Sequence, residues 1–235
     1  MKKIIQTIFR KIAMLFFGTG ISKNKTIHKT YSYFTKQLKP EFVEIEGLKY
    51  YLDDKDSLGL SVSRTHEKTE TEIVKQVVKE GDIVIDVGAH IGYYTLIFAK
   101  IVGNKGKVFA FEANKKNFEV LEKNVLKNNF KNIICENMIV SDKIGKVQMY
   151  SLDSSTANRL FDEGNNENIE VDSITLDEYF KKRSKKIDFI KLDIQGAEPL
   201  AIKGMNKIIE DNSELKIIQE WWPDGIKKFD IEPTE

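Results

Sequence analysis

From Ile83 onward, short apolar runs alternate with segments whose apolar residues recur three and four positions apart. The runs IVIDV, KVFAF, NIICENM and IDFIKLDI, followed by LKIIQEWW, have the length of strands buried on both faces. Between them, helical periodicity covers Gly92–Val102 and Asn114–Asn129. This alternation predicts a largely parallel sheet with helices on both faces.

Upstream, EFVEIEGLKYYLDD alternates on either side of Gly47 and predicts a β-hairpin. THEKTETEIVKQVVKEG predicts a helix with Gly81 just past its end. Regularity breaks down between Asn137 and Leu176, where GKVQMYS and NIEVDSI suggest extra strands around the polar stretch LDSSTANRLFDEGNNEN. Long irregular loops are often functional, so this stretch is a candidate lid or substrate loop. TLDEYFKKRSKK predicts a helix whose terminal bases complement its dipole, and it does not suggest a nucleic-acid patch. The expected organisation is a basic helical segment 1–40, a hairpin and helix over 41–80, and a nucleotide-binding domain over 81–235 with an irregular insert at about 143–174.

Charge sharpens the division. Residues 1–40 hold nine Lys or Arg and no Asp or Glu, whereas the remainder has 28 basic against 36 acidic residues, a net of −8. Ile5, Ile8, Phe9, Ile12, Leu15 and Phe16 share one helical face, with Lys2, Lys3, Gln6 and Arg10 largely off it. Such a stripe suits either an anionic membrane surface or docking on the chain's own domain. Its longest apolar run, Ile12 to Phe17, is too short to span a bilayer, and no cleavage pattern follows it. KNKTIHKTYSYFTKQLKP reads as a second basic helix ending at Pro40. The single cysteine, Cys135, lies in an apolar run and reads as a packing residue. With no disulfide framework, a cytoplasmic setting is expected, peripheral at the membrane if the stripe binds there.

The candidate chemistry starts at DVGAHIGYYTL. Asp86 ends a strand, Gly88 allows the bend, and Gly92 sits where the next helix must pack closely. In a dinucleotide turn of G-x-G-x-x-G form the second glycine lets the backbone approach a pyrophosphate. His90 holds that place here, which disfavours NAD and FAD. Glu112 ends the next strand twenty residues beyond Gly92, where a carboxylate can accept both ribose hydroxyl protons. A ribose acid beside a turn unsuited to pyrophosphate fits S-adenosyl-L-methionine (SAM).

DVGAHIGYYTL, VFAFEAN, VSDKIGKVQMY and above all IDFIKLDIQGAEPLAIKGM resemble the FkbM-type SAM-dependent methyltransferases over about residues 45–222. The resemblance implies a class I, Rossmann-like methyltransferase fold and methylation of hydroxyl groups on sugars or polyketide-type products. It implies that Asp86, Gly88 and Gly92 form the cofactor turn, that Glu112 holds the ribose, that Ser141 and Asp142 lie near the adenine, and that Asp193 faces the methionine end. His90, Ala113 and Gln195 depart from the family's usual Asn, Pro and Glu, and Gln195 weakens any three-acid cluster for chemistry or metal binding. After LKIIQEWW, PDGIKKFDIEPTE is too short for the last two strands of the class I sheet, so a truncated chain, an open edge, or a homo-oligomeric or other partner covering that edge is expected.

Hydroxyl methylation needs a base, and Asp193, Glu198, Glu220 and His90 are the candidates. Asp193, at a strand's C-terminal end, is the first choice, with helix capping as the alternative. Glu198 falls in a helix's first turn, where its charge also suits the dipole. Glu220, Trp221 and Trp222 end the fifth strand, where the aromatic rings serve either sugar stacking or packing. No Cys/His cluster has metal-ligand spacing, so no metal is required. Two functions remain open: an O-methyltransferase acting on a glycan or glycolipid, and a catalytically silent SAM-fold module that binds a membrane or protein partner.

Overall fold

The computed structural model describes residues 7, 8, 11, 38–151, 159–161, 167–183 and 186–233. The expected basic helices of 1–40 and most of the polar loop therefore lie outside the described residues. Among the described residues, no helix is long and apolar enough to cross a membrane.

The expected hairpin is β1 (Phe42–Ile45) and β2 (Leu48–Tyr51), paired antiparallel. Its two turn residues, Glu46 and Gly47, both have positive φ, which matches the right-handed twist of the strands. A short helix α1 (Leu60–Ser63) and helix α2 (Lys68–Val77) follow. Helix α2 stops at a Val78 cap in extended conformation, three residues before the expected end. Gly81 instead makes a left-handed turn into the first core strand.

The core sheet contains β3 (Ile83–Val87), β4 (Lys107–Phe111), β5 (Ile133–Glu136), β9 (Phe189–Leu192) and β10 (Lys216–Gln219). Its order is β10-β9-β3-β4-β5, and every pair is parallel. This is a doubly wound α/β sheet of class I type. No hairpin follows β10 among the described residues, so β10 is a sheet edge. Three further strands, β6 (Ile139–Val140), β7 (Gly145–Ser151) and β8 (Glu167–Ile174), form a separate sheet in which β7 and β8 are antiparallel.

Successive residues of the core strands face opposite sides. Val84, Val108 and Phe189 pack on the hairpin and on helix α3 (Tyr93–Val102). Ile85, Val87, Phe109, Phe111, Ile190 and Leu192 pack on α5 (Leu176–Phe180), α6 (Glu198–Lys203) and α7 (Asn206–Asp211). Helix α4 (Lys115–Lys127), capped by the Asn114 side chain, lays Leu121 against Ala89 and Ala110. Helix α5 is shorter than expected, so the Lys/Arg run lies largely past it, and Arg183 stacks on the Tyr179 ring at 3.7 Å instead of serving the dipole. Cys135 is half-buried in β5, and burial pushes its thiol up to about 12, consistent with packing.

The hairpin is tied to the core through asparagines. Asn124 on α4 accepts from the Tyr51 amide (2.6 Å) and donates to the carbonyls of Tyr51 (3.1 Å) and Ile91 (2.7 Å). Asn128 bonds both backbone groups of Lys49 in the same way. Asn124 thus fixes the hairpin and the turn after β3 with one buried side chain.

Candidate active site

The turn after β3 uses left-handed backbone at Gly88, His90 and Gly92 (φ 83°, 52° and 88°). The amides of Gly88 and Ala89 both donate to the Phe111 carbonyl at 3.0 Å, which draws the turn against the end of β4. A β-carbon on Gly88 would strike the Asp193 carbonyl, so this glycine joins the ends of β3 and β9 as well as making the bend. A β-carbon on Gly92 would come 2.6 Å from Leu121 Cδ1, so its close packing is against α4 and not a strand.

A cavity of about 200 Å³ opens over these strand ends. Gly88, His90, Glu112 and Asn117 line one part of it, Met138, Ile139 and Val140 a side, and His66, Glu67, Lys191, Asp193, Gln195 and Glu220 the rest. Glu112 follows β4 and Glu220 follows β10, three strand spacings apart in the sheet order, or roughly 14 Å. A nucleoside extended by an amino acid fits a cleft of that length.

Glu112 is buried and accepts the amides of His90 and Asn114, each at 2.8 Å. Burial outweighs these bonds and pushes its carboxyl up to about 7. The left-handed His90 aims its amide at that carboxylate, and its ring meets the Ser57 hydroxyl at 3.3 Å. Asp86 lines the cavity but is itself buried, accepts the Thr95 hydroxyl at 2.5 Å, and is pushed up to about 6 by burial.

Asp86 and Lys191 are paired residues of β3 and β9, two positions beyond Val84 and Phe189 on the same face. Lys191 is 2% exposed, and its Nζ lies 2.8 Å from Asp193 Oδ2, 3.7 Å from Glu70 and 4.6 Å from the centre of the Tyr94 ring. Burial opposes both charges. Even so, Lys191 holds the Asp193 carboxyl below the usual range, and Asp193 and Asp86 hold the ammonium above its own. Asp193 is therefore an ion-pair partner and not a helix cap, since α6 begins after Ala197 with no side-chain cap.

Glu220 is a further carboxylate on the wall. Burial, with Asp193, Glu198 and Glu67 nearby, pushes it up to about 7, and Gln195 donates to its Oε2 at 3.0 Å. Gln195 thus supplies a donor that a glutamate would lack. His66, 3.5 Å from Glu67, is kept below its ordinary value by burial against the pull of Glu67 and Asp193.

Several expected residues fall elsewhere. Glu198 is fully buried, does not line the cavity, and accepts the Ile194 amide at 2.8 Å, so it supports the loop after β9 and is not placed as a base. Ser141 and Asp142 lie just beyond the wall, because Ser141 bonds back to Ile174 (3.0 Å) and to Asp142 (3.1 Å) and leaves apolar Met138–Val140 on the cavity. Trp222 packs on Phe161 and under Arg159, 4.5 Å from the ring, while Trp221 is exposed; neither lines the cavity. Sequence reasoning missed His66, Glu67, Asn117 and Lys191. Only Lys191 left a signal, a lysine inside the buried strand FIKL, where a charge requires partners.

The methyltransferase FkbM domain family model matches residues 86–225. Among solved structures, the chain is similar to a SAM-dependent O-methyltransferase from Thermotoga maritima (19% identity, 80% of this chain and 59% of that one, TM-score 0.43). It is also similar to an rRNA methylase from Streptococcus thermophilus (13%, 68% and 75%, 0.42) and a SAM-dependent methyltransferase from Aquifex aeolicus (22%, 63% and 62%, 0.35). The chain spans less than two thirds of the length of the first and third of these. No curated protein matches it.

Proposed function

Because the chain belongs to the FkbM methyltransferase family, with SAM as its cofactor, we propose that it methylates a hydroxyl group of a glycan, glycolipid or related small molecule. The observation that carries this reading is Glu220. A hydroxyl must lose a proton as it is methylated, whereas a neutral amine needs no base to attack, and a base works best with a pKa near the working pH. Glu220 is on the cavity wall, is pushed to about 7, and is oriented by Gln195. Asp193, the first choice from the sequence, is a poorer base because Lys191 stabilises its charge.

The residues present fit the cofactor. Glu112 would hold the ribose hydroxyls with the lone pairs left by its two amide bonds, and the Gly88 turn leaves the backbone bare beside it. When bound, SAM supplies an electrophilic methyl group on a positively charged sulfur. Asp193 offers a fixed negative charge toward the methionine end. Glu220 takes the acceptor's hydroxyl proton and keeps it, with His66 and Glu67 completing the wall around the acceptor.

Incubating the protein with methyl-labelled SAM and a panel of glycans and glycolipids tests the proposal. A base-stable methyl ether in the product supports it. Label on nitrogen or carbon, or no transfer to any hydroxyl acceptor, overturns it.

A further inference from the structure

The cleft holds more acid than a neutral ligand needs. Glu67, Asp86, Glu112, Asp193 and Glu220 line it, against one lysine. That lysine is committed: Lys191 is wedged between Asp193 and Glu70 and lies over the Tyr94 ring. His66 adds no dependable positive charge, because burial favours its neutral form. Acid is concentrated at the β9–β10 end: Glu220, just past β10, shares the wall with Asp193, just past β9, and with Glu67, and Lys191 offsets only part of their push on it.

We propose that this end of the cleft distinguishes the cofactor from its product by charge, with Glu220 as the discriminating residue. Ionised Glu220 favours the sulfonium of SAM, and protonated Glu220 suits the uncharged sulfur of S-adenosylhomocysteine (SAH). The inference rests on the base role given to Glu220 above and extends it to ligand exchange. One turnover removes one positive charge from the cofactor and leaves the acceptor's proton on Glu220, so the cleft's total charge does not change. Restoring the starting state requires loss of that proton, and this favours release of SAH and capture of SAM. SAM should therefore release more protons on binding near neutral pH than SAH does, the excess coming from Glu220. As pH rises from 6 to 8, Glu220 ionises and the preference for SAM grows. A single facing charge in a partly buried cleft changes affinity on the order of five- to tenfold.

Isothermal titration of the full chain with SAM and SAH, at pH 6 and 8 and in two buffers of different ionisation enthalpy, tests this without an acceptor. The expected result is a SAM-over-SAH ratio that rises on the order of fivefold between pH 6 and 8, with a larger buffer dependence of the enthalpy for SAM than for SAH. Glu220→Gln should abolish both signals and retain SAH affinity. Glu112→Gln should weaken both ligands alike and leave their ratio pH-dependent. A pH-independent ratio in the wild type, or an unchanged pH-dependence in Glu220→Gln, overturns the proposal while leaving the cofactor assignment intact. If neither ligand binds, the cofactor placement fails and the proposal with it. Methyl transfer that persists in Glu220→Gln with an unchanged pH profile removes the base role alone.

Discussion

A β-carbon at Gly88 would overlap the backbone carbonyl of Asp193, so the two strand ends that frame the cleft touch through a missing side chain. The same residue has φ 83°, a region that side chains avoid. Gly88→Ala should cost roughly 2 kcal/mol or more of folding stability and weaken SAM at the same time. Thermal unfolding and calorimetry on one preparation check this. A Gly88→Ala protein with wild-type melting and affinity would show that β3 and β9 are not held in contact here.

Glu112 faces the cleft with its carboxylate already bound to two amides. Glu112→Gln keeps the shape but replaces one acceptor oxygen with a donor. Charge-assisted hydrogen bonds contribute about 1.5–3 kcal/mol, so SAM affinity should fall about tenfold or more. Because burial raises the carboxyl to about 7, affinity for SAM and SAH alike should rise as pH increases through neutrality and this group ionises. An affinity that declines over that range would contradict the ribose role.

Lys191→Met removes the cation that Asp193, Asp86 and Glu70 share. Breaking a buried ion pair on one side costs about 3–5 kcal/mol. The sign with pH follows from Asp193. In the wild type its carboxyl sits below the usual range, so the pair's contribution is complete at neutral pH and is lost only as pH falls through that depressed value. Without Lys191 the buried carboxylates are raised instead, so the variant's deficit should be largest near pH 8 and shrink toward pH 5. Chemical denaturation across that range measures it, and a deficit independent of pH would mean that packing, and not charge, is what the lysine supplies.

The sheet was legible in the sequence because its strands are short and apolar throughout: IVIDV and KVFAF emerge with their expected limits. Helix ends were less legible. Val78 ends α2 by leaving helical backbone, with no glycine or proline to announce it. At the site, Gly88 and Glu112 were readable because turn geometry and strand-end placement are local properties. The wall made by His66 and Glu67 was not, because these residues precede an ordinary-looking helix and reach the cleft only through tertiary packing. Ser141 and Asp142 fall one or two residues past the cavity lining, a position set by the pairing of β6 with β8.

Asn124 gives a separate test of how the hairpin supports the turn. Asn124→Ala leaves the Tyr51 amide and the Ile91 carbonyl without their side-chain partner. Unsatisfied buried groups cost about 1–3 kcal/mol each, so stability should fall by roughly 2–6 kcal/mol. Hydrogen exchange should show faster exchange at Tyr51 first. Exchange unchanged there would mean that β2 is held by α4 without this bond.

The family match begins at residue 86, yet Leu58, His66 and Glu67 form part of the cleft wall. The two halves of the cleft are therefore written in separate stretches of the chain. On the proposed function, the cofactor contacts lie within the shared segment and part of the acceptor wall lies upstream of it. A chimaera that takes residues 58–70 from another member of the family should exchange acceptor preference while leaving cofactor affinity where it was.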